Sequence, residues 1–364
     1  MNRSALKYIA LALVTIGLLY LAFQGQDIGK SLEAVSQAHF LPLLGGILLM
    51  FVSHALRAWR WQIVLRPLKR STSFWRAYKA TIAGYGMNNL IPRSGEIVRP
   101  YLMARGESIP VAGALASVVV ERLADVVALA VLMISTLLIY QTRVTSVFPM
   151  FSGSAIGVIA VMLACLIGFI LMFFSERRTL QFIRIFVKPL PTVLAGKIES
   201  VALDFSRGLR GLDRSAILPL IFGTIGIWLI YGISMFVSLQ GFDDPTMAKL
   251  NLSDAFLLLT LSGIAFTIPT PGGTGSYHLF IKTGLASIFG VPVTIAAAYA
   301  IATHALSYIT ITFAGIVILI REGVSIGAAK NMTNPDSEPL HHSTPGQAEG
   351  RHLIPHPSSE AANG

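Results

Sequence analysis

The sequence predicts an all-α polytopic membrane protein with an inverted internal repeat, about six full spans and two re-entrant hairpins of broken helix. Composition gives the first reason: 54% of the 364 residues are hydrophobic and 13% are charged, whereas soluble domains carry about 25% charged residues. Several apolar segments approach the roughly 20 residues that cross a bilayer. Two segments rich in proline and glycine interrupt the apolar chain at corresponding places in its two halves.

The charge balance indicates contact with a membrane. The chain carries 28 basic and 18 acidic residues, a net charge of +10. Because the basic residues flank apolar spans, we interpret the excess as topology and contact with anionic lipid, and we expect no nucleic-acid partner. Cys165 is the single cysteine, so the chain cannot form an internal disulfide. No metal-ligand spacing occurs, and we expect no metal and no cofactor.

The first two spans predict a cytoplasmic N-terminus. Arg3 and Lys7 accompany an apolar segment, 5–23, that lacks a cleavage site and is interpreted as an uncleaved signal anchor. After a polar segment, 24–38, the second span, 40–65, ends in a basic cluster that the positive-inside rule places in the cytoplasm. That cluster comprises Arg57, Arg60, Arg66, Lys69, Arg70, Arg76 and Lys79.

The next segment predicts the first hairpin. A polar helix, 74–91, breaks at Pro92–Gly95 and continues as a short helix, 95–105. Irregular backbone at membrane depth persists only where it is buried in protein or lines a wet cavity. We therefore expect a re-entrant hairpin that enters from the cytoplasmic side. The long apolar helix after it, 111–141, carries three charged residues: Glu121, Arg122 and Asp125.

The middle of the chain connects the two halves. Segment 153–174 is predicted to be an ordinary span. In segment 176–214, apolar residues recur at helical spacing along one face, and the basic residues lie on the other faces. This second pattern predicts either an amphipathic helix on the cytoplasmic membrane surface or a connector helix packed on the core. Span 215–240 then returns to the outside.

The second hairpin and the tail complete the chain. An apolar helix, 252–268, breaks at 269–273 and leads through a short helix, 276–289, into the last span, 292–320. We expect this hairpin to enter from the outside. The final segment, 322–364, is rich in Pro, Ser, Gly and His, and we expect a disordered cytoplasmic tail.

The integral membrane domain, 1–321, contains the repeat. With a shift of 177 positions, Ile91-Pro92 falls on Ile268-Pro269, and with a shift of 182, Glu121-Arg122 falls opposite Thr303-His304. Repeat one covers about 40–141 and repeat two about 217–321. Because the basic residues give the first spans of the two repeats opposite directions, the repeats are predicted to be inverted, as in many transporters.

Three motifs resemble a known family. The stretches "NNLIPRSGEIVRPYLMAR", "VVVERLADVVAL" and "PTPGGTGSYHLF" are similar to those of the lysylphosphatidylglycerol synthase transmembrane-region family, and the similarity covers nearly all of 5–321. The resemblance implies a flippase-like integral membrane protein that handles lipid. In the larger synthases a soluble aminoacyl-transfer domain follows this region. Since only a short tail follows here, we do not expect aminoacylation by this chain alone.

The resemblance and the intramembrane charges together give the candidate substrate-binding residues. They are Asn88, Asn89, Arg93, Glu96, Arg99, Glu121, Arg122, Asp125, Gly272, Gly273, Gly275, Tyr277, His278 and His304. The family pattern also implies Pro92, Gly95 and Pro271. It places a glutamate near the end of the third motif, where this chain has Tyr277-His278, so a carboxylate-dependent step at that position is not expected to be retained.

Buried charges need partners, because a charged side chain at the bilayer centre costs about 2.5–3.5 kcal/mol. Glu96 and Arg99 are three residues apart on a helix and are expected to pair. Glu121 and Asp125 share a helix face and need a cation between them, for which Arg93, Arg99, Arg122 and a substrate amine are candidates. The charges either form a structural ion network or act on substrate.

Several polar groups have two interpretations. Arg93 and Arg99 suit a phosphate head group, because a guanidinium binds phosphate bidentately and stays charged when buried, although Arg93 could instead reach the cytoplasmic face. The glycines of "PTPGGTGS" either expose N–H groups to an anion or allow tight packing. The interior histidines His54, His278 and His304 act either as a proton relay or as hydrogen-bonded core residues.

These patterns predict a transporter rather than an enzyme: a flippase that moves an anionic phospholipid or a lipid-linked head group between leaflets. Two alternatives are a membrane-embedded head-group transferase and a non-transporting partner of a separate lipid-modifying synthase. We expect the protein in a bacterial cytoplasmic (inner) membrane, with both termini cytoplasmic.

Overall fold

The computed structural model describes residues 3–149, 176–188 and 214–324, together with positions 164, 167, 191–192, 195–196 and 199. Within these residues the chain forms eleven α-helices and no strand, which confirms the all-α class. In chain order the helices are α1 (Arg3–Phe23), α2 (Ile28–Gln37), α3 (Phe40–Leu65), α4 (Phe74–Leu90), α5 (Gly95–Glu107), α6 (Val111–Val147), α7 (Glu176–Val187), α8 (Arg214–Leu239), α9 (Leu252–Ala265), α10 (Ser276–Thr283) and α11 (Val293–Arg321).

The long helices agree with a polytopic membrane protein. Four of them, α3, α6, α8 and α11, are long and apolar enough to cross a bilayer, and the bent pair α1–α2 adds a fifth candidate span. The remaining predicted span, 153–174, lies almost wholly outside the described residues, as do most of 176–214 and the tail from 325 onward. Helix α7 is the described part of the predicted amphipathic segment.

The first span ends at Phe23, as predicted, and a second helix follows it. Most of the polar segment 24–38 forms α2, which bends by 79° from α1. Gly25 takes a positive φ of 70° at the bend, a conformation that costs glycine little. Asp27 then caps α2 by accepting a hydrogen bond from the backbone N–H of Lys30 at 3.1 Å.

The first hairpin breaks where the sequence predicts. Helix α4 begins after Ser73, whose side chain accepts from the Arg76 N–H, and ends at Leu90, and α5 begins at Gly95. Helix α5 is two residues longer than predicted and ends before Ser108, which adopts a left-handed conformation with φ of 55°.

The second hairpin has the same order of parts. Helix α9 begins with a reciprocal capping box between Asn251 and Asp254. A 3₁₀ turn, Pro271–Gly273, precedes α10. Helix α10 is shorter than the predicted 276–289, because the chain continues as a π-helical turn, Gly284–Ile288.

Each hairpin leads into a long helix that starts directly after a proline. Pro110 precedes α6 and Pro292 precedes α11. Helix α11 agrees with its prediction. Helix α6 runs six residues beyond the predicted end at 141, with a kink at Tyr140, where the backbone leaves the helical conformation.

Glycines bring the central helices close together. Helix α3 packs along α8 in the antiparallel sense, with Gly46 against Ser238 near one end of the contact and Gly223 against Arg60 near the other. Helix α4 of the first hairpin packs against α11, where a Cβ on Gly86 would lie 3.0 Å from the Cα of Gly315. These contacts place the first hairpin beside α3, α6 and α11.

Candidate functional site

The tip of the first hairpin is closed by backbone contacts. The Oδ1 atom of Asn88 accepts a hydrogen bond from the Gly95 N–H at 2.7 Å, and Ser94 Oγ donates to the Met87 carbonyl at 2.9 Å. Gly95 packs so closely on the Gly84 carbonyl that a Cβ would overlap it. The predicted residue Asn88 thus holds the two halves of the hairpin together across the break.

A cluster of ionic side chains, here called the arginine cluster, lies between this hairpin and helices α3 and α6. Its members are Arg57, Arg60, Glu96, Arg99, Glu121, Arg122 and Asp125. The side chains of Arg57 and Arg99 are 3% exposed, and those of Arg60 and Glu121 are fully buried. Arg122 and Glu96 lie at the rim, 36% and 44% exposed.

Both buried carboxylates of the cluster contact more than one guanidinium group. Glu121 lies between Arg99, with Nη2 to Oε2 at 2.7 Å, and Arg60, with Nη2 to Oε1 at 3.5 Å. Asp125 contacts Arg57 at 2.5 Å, Arg60 at 2.9 Å and Arg122 at 3.8 Å. Arg60 is therefore the cation that bridges the two carboxylates, and its Nη1 also donates to Thr224 Oγ1 of α8 at 2.8 Å.

Arg99 is the member whose bonding is least complete. Its guanidinium carbon lies 3.8 Å from the ring centroid of Trp61, a cation–π contact. In the part of the chain that the structure describes, its Nε and Nη1 have no hydrogen-bond partner. Four arginines face three carboxylates in the cluster, so its formal charge is positive.

A narrow cleft reaches Arg99 from the surface. It passes between α4, α5 and α6, has a volume of about 10 Å³, and is lined at its polar side by Asn88, Glu96, Arg99 and Arg122. That volume holds about one water molecule. The cleft adjoins a wider groove of about 400 Å³ that shares Glu96, Val118 and Arg122 with it. Arg99, whose Nε and Nη1 lack partners, lines this cleft, which would have to widen to admit an anion larger than a water molecule.

Several sequence predictions about this region need correction. Glu96 and Arg99 do not pair with each other: Arg99 turns toward Glu121 of α6, and Glu96 lies 4.0 Å from Arg122. Arg57 and Arg60 were assigned to the cytoplasmic basic cluster, but both are buried and ion-paired. Arg60 was not among the cations expected between Glu121 and Asp125. The reason in each case is that the partners come from other helices.

The sequence contains a pattern that indicates the buried positions of Arg57 and Arg60. Ser53, His54, Arg57, Arg60 and Trp61 recur at helical spacing in an apolar span, which puts them on one face of α3. The structure buries all five. A polar stripe of this kind indicates a face that packs on other polar groups rather than on lipid, whereas the exposed basic residues at the end of α3 begin only at Arg66.

Other predicted residues of the first hairpin lie outside the arginine cluster. The amide of Asn89 donates to Thr312 Oγ1 at 2.9 Å and ties α4 to α11. Arg93 is exposed in the break, with a positive φ of 64°. Among the described residues, Arg93 forms none of the ion pairs of the arginine cluster.

The remaining predicted residues form a second cluster, here called the histidine cluster, at the second hairpin. The rings of His278 and His304 lie 4.6 Å apart. His304 Nε2 is 2.9 Å from the Gly272 carbonyl oxygen, and the hydroxyls of Tyr277 and Thr303 are 3.1 Å apart. The structure thus brings these side chains together, and within the described residues their contacts are hydrogen bonds and ring contacts without an ion pair.

Glycine conformation shapes this second hairpin, and α1 covers it. Gly272, Gly273 and Gly275 all have positive φ, at 55°, 76° and 87°. A Cβ on Gly275 would lie 3.0 Å from the Thr15 carbonyl oxygen of α1, and Phe23 of α1 contacts the His278 ring. These glycines therefore allow close packing at the second hairpin.

Within the described residues, no three His, Cys, Asp or Glu side chains come together as a metal site would require.

Comparison with known proteins agrees with the motif resemblance. The family model described as "Lysylphosphatidylglycerol synthase TM region" matches residues 8–315. A UPF0104 membrane protein of Methanocaldococcus jannaschii is 25% identical over 309 residues, which is 76% of this chain and 83% of that protein. A UPF0104 membrane protein of Methanothermobacter thermautotrophicus is 24% identical over 336 residues, 88% of this chain and 98% of the relative. No solved structure matches the chain.

The match of the family model and the observed fold lead to one conclusion. The predicted family is confirmed, because the family model matches most of the chain. The helices that are long enough to cross a bilayer lie within or overlap the matched range. Both relatives are archaeal proteins, so they do not bear out the expected bacterial inner membrane. The chain is a multi-pass membrane protein that belongs to the lysylphosphatidylglycerol synthase transmembrane-region family.

Proposed function

We propose that this protein is a transporter that moves a phosphate-bearing lipid, or a lipid-linked head group, between the leaflets of its membrane. The observation that carries the proposal is Arg99: a buried, charged side chain with unpaired N–H groups that faces a cleft. Around it the cluster has more guanidinium groups than carboxylates. Such a site favours an anion.

Phosphate suits the free face of Arg99 for a chemical reason. A buried donor without a partner costs about 1–3 kcal/mol, and more when it is charged. A phosphate offers several acceptor oxygens and can engage a guanidinium group with two parallel hydrogen bonds. Arg122 at the rim of the same cleft provides a second cation along the approach. We therefore assign Arg99 and Arg122 to the phosphate and Glu96 to the rim.

The contacts between helices support the inverted repeat. If α3, α4, α5 and α6 are exchanged with α8, α9, α10 and α11, several of the observed contacts between them map onto one another. The contact of α4 with α11 maps onto that of α9 with α6, α5 with α6 onto α10 with α11, and α3 with α4 onto α8 with α9. The antiparallel contact of α3 with α8 maps onto itself. This is the pattern of a pseudo-two-fold axis, which alternating-access transporters use.

Under this symmetry the histidine cluster is the counterpart of part of the arginine cluster. Thr303-His304 takes the place of Glu121-Arg122, and Gly272 takes the place of Gly95. We propose that Tyr277, His278 and His304 line the opposite end of the pathway, where the head group leaves the arginines. Asn88, Asn89 and the three glycines then hold the two hairpins in shape, and Arg93, which is exposed in the first break, lies outside the phosphate site.

Transport by the purified protein tests the proposal. In liposomes that contain a fluorescent phosphatidylglycerol, the wild-type protein should make the inner-leaflet label accessible to an external quencher. Since hydrogen bonds to charged groups contribute about 1.5–3 kcal/mol, Arg99→Gln should slow this movement by roughly 10–100-fold. The matched control Arg93→Gln, which removes an exposed arginine of the same hairpin, should transport at nearly the wild-type rate. Equal rates for all three proteins would remove the site assignment.

Labelling of single cysteines tests the topology on which the inverted repeat depends. With Cys165 replaced by serine, Arg70→Cys reports the α3–α4 connection and Asp243→Cys the α8–α9 connection; both native side chains are exposed. An impermeant thiol reagent should reach Asp243→Cys from the outside and Arg70→Cys only after the membrane is opened. The reverse result would contradict cytoplasmic termini, and labelling of both from one side would exclude the inverted arrangement.

A further inference from the structure

The groove beside the arginine cluster has a lining that the phosphate site does not explain. It is about 400 Å³ and is bounded by Glu96, Ile97, Leu115, Val118, Val119 and Arg122. Leu115, Val118, Val119 and Arg122 are spaced i, i+3, i+4 and i+7, so they share one face of α6. Leu115 and Val119 are exposed in the structure.

The chemistry of the groove changes along its length. Apolar side chains line most of it, and the polar residues Glu96 and Arg122 lie where it meets the cleft that leads to Arg99. The wide apolar part therefore lies toward the protein surface, and the narrow cationic part lies toward the protein interior. A phospholipid has the same order, with an apolar chain joined to an anionic phosphate.

The depth of the site also requires a path through the side of the protein. Arg122 lies eleven residues after the start of α6, which is about 16 Å along the helix axis. With the start of α6 placed at one edge of the hydrocarbon core, which is about 30 Å thick, the rim of the cleft lies near the middle of that core. A lipid phosphate held at this depth must keep its acyl chains at the same level, and an opening toward the bilayer lets them remain there.

We infer that the groove between α5 and α6 holds an acyl chain of the transported lipid, and that this lipid enters the arginine cluster sideways from the bilayer. The inference rests on the proposed function and adds to it the route and the part of the lipid that is recognised. Its physical basis is the continuity of the apolar groove with a cationic cleft through shared residues. The occupant is a phospholipid, because a free phosphate would leave the apolar lining uncovered.

Photo-crosslinking tests this directly. Phosphatidylglycerol with a photoreactive group on one acyl chain is added to the full-length protein in nanodiscs, and the labelled residues are mapped by mass spectrometry. Label should appear on Leu115 or Val119. It should be lost in Val119→Trp, which fills the groove, and in Arg99→Gln, which removes the phosphate partner, but retained in Val131→Trp. Val131 is an exposed valine of the same helix outside the groove.

The outcomes separate the route from the function. Label at other residues that still disappears in Arg99→Gln would overturn the groove and leave the phosphate site intact. Label in the groove that persists in Arg99→Gln would also overturn the inference, since the chain there would then belong to ordinary bilayer lipid. Normal lipid transport by the Val119→Trp variant would exclude sideways entry of the lipid by this path.

Discussion

The two hairpins have the same order of parts but different chemistry. In each, a helix breaks near a proline, a short helix follows, and a long helix starts directly after a second proline. At the first hairpin, buried arginines and carboxylates form ion pairs. At the second, histidine, tyrosine and threonine form neutral hydrogen bonds and ring contacts.

This difference indicates whether buried ion pairs are required to form a hairpin in this fold. The second hairpin shows that the break between two helices can be packed, in the part of this protein that the structure describes, without an ion pair at the break. Replacing buried ion pairs with well-packed neutral groups is often neutral or stabilising. The arginine cluster is thus not needed to build a hairpin, and we interpret its charges as belonging to function.

The largest expected effect comes from removing the carboxylate that two arginines share. Glu121→Gln should lower the free energy of unfolding by about 3–5 kcal/mol, because it leaves Arg60 and Arg99 less compensated in a buried site. The corresponding change at the second hairpin, Thr303→Val, removes two neutral hydrogen bonds, with the Tyr277 hydroxyl and the Tyr299 carbonyl, and should cost only about 1–3 kcal/mol. Unfolding by denaturant titration in mixed micelles measures both.

The comparison fails if these two variants lose similar stability. A control within the cluster is Glu96→Gln, whose carboxylate is partly exposed and 4.0 Å from Arg122. Such a pair contributes about 0–1 kcal/mol. A loss as large as that of Glu121→Gln would show that exposure does not set the cost in this cluster.

A smaller effect is expected at the two tips. Gly95→Ala should cost about 1–3 kcal/mol, because its Cβ meets the backbone of Gly84 and the helices must move apart. Gly272→Ala meets side-chain atoms of Tyr308 and Asn89, which can shift, but it also forces alanine to a φ of 55°. We expect the smaller loss there, and thermal unfolding in detergent will rank the two variants. A greater loss for Gly272→Ala would place the tighter tip at the second hairpin.

The smallest effect is a pH dependence at the end of the first hairpin where α5 ends. Burial tends to raise the pKa of Glu107, but hydrogen bonds from Lys69 and the Ser73 N–H, together with the charges of Lys69 and Arg76, lower that pKa below its ordinary value. A lowered pKa means that Glu107 stabilises the fold above the unfolded pKa of about 4.3 and loses this contribution as pH falls through the folded pKa. Glu107→Gln should flatten the decline of the unfolding temperature below that pH, and an unchanged acid limb would contradict this.

The backbone plan could be predicted further than the side-chain contacts. Pro92 and Gly95 mark the first break because proline removes a donor and glycine allows close approach, and the helices end within two residues of it as expected. The expected cost of buried charge likewise singled out Glu121 and Asp125. These are properties of short segments, so one sequence is enough to find them.

The pairing of charges could not be predicted, because it depends on how helices pack. Arg99 and Glu96 are neighbours on α5, but α5 directs Arg99 toward Trp61 and Glu121. Arg57 and Arg60 lie near basic residues in the sequence and were interpreted as topological charges, whereas α3 turns them toward α6 and α8. The proximity of His278 to His304 likewise depends on the contact of α10 with α11.

Equilibrium binding of lipid to the detergent-solubilised protein tests the central claim most directly. Phosphatidylglycerol should bind, and diacylglycerol, which lacks the phosphate, should not compete with it. Arg99→Gln should weaken the binding by roughly 10–100-fold, as expected for the loss of hydrogen bonds to a charged group, and Arg99→Lys should recover only part of it because lysine cannot bind bidentately. Equal affinity of the wild-type protein and Arg99→Gln for phosphatidylglycerol would contradict the account.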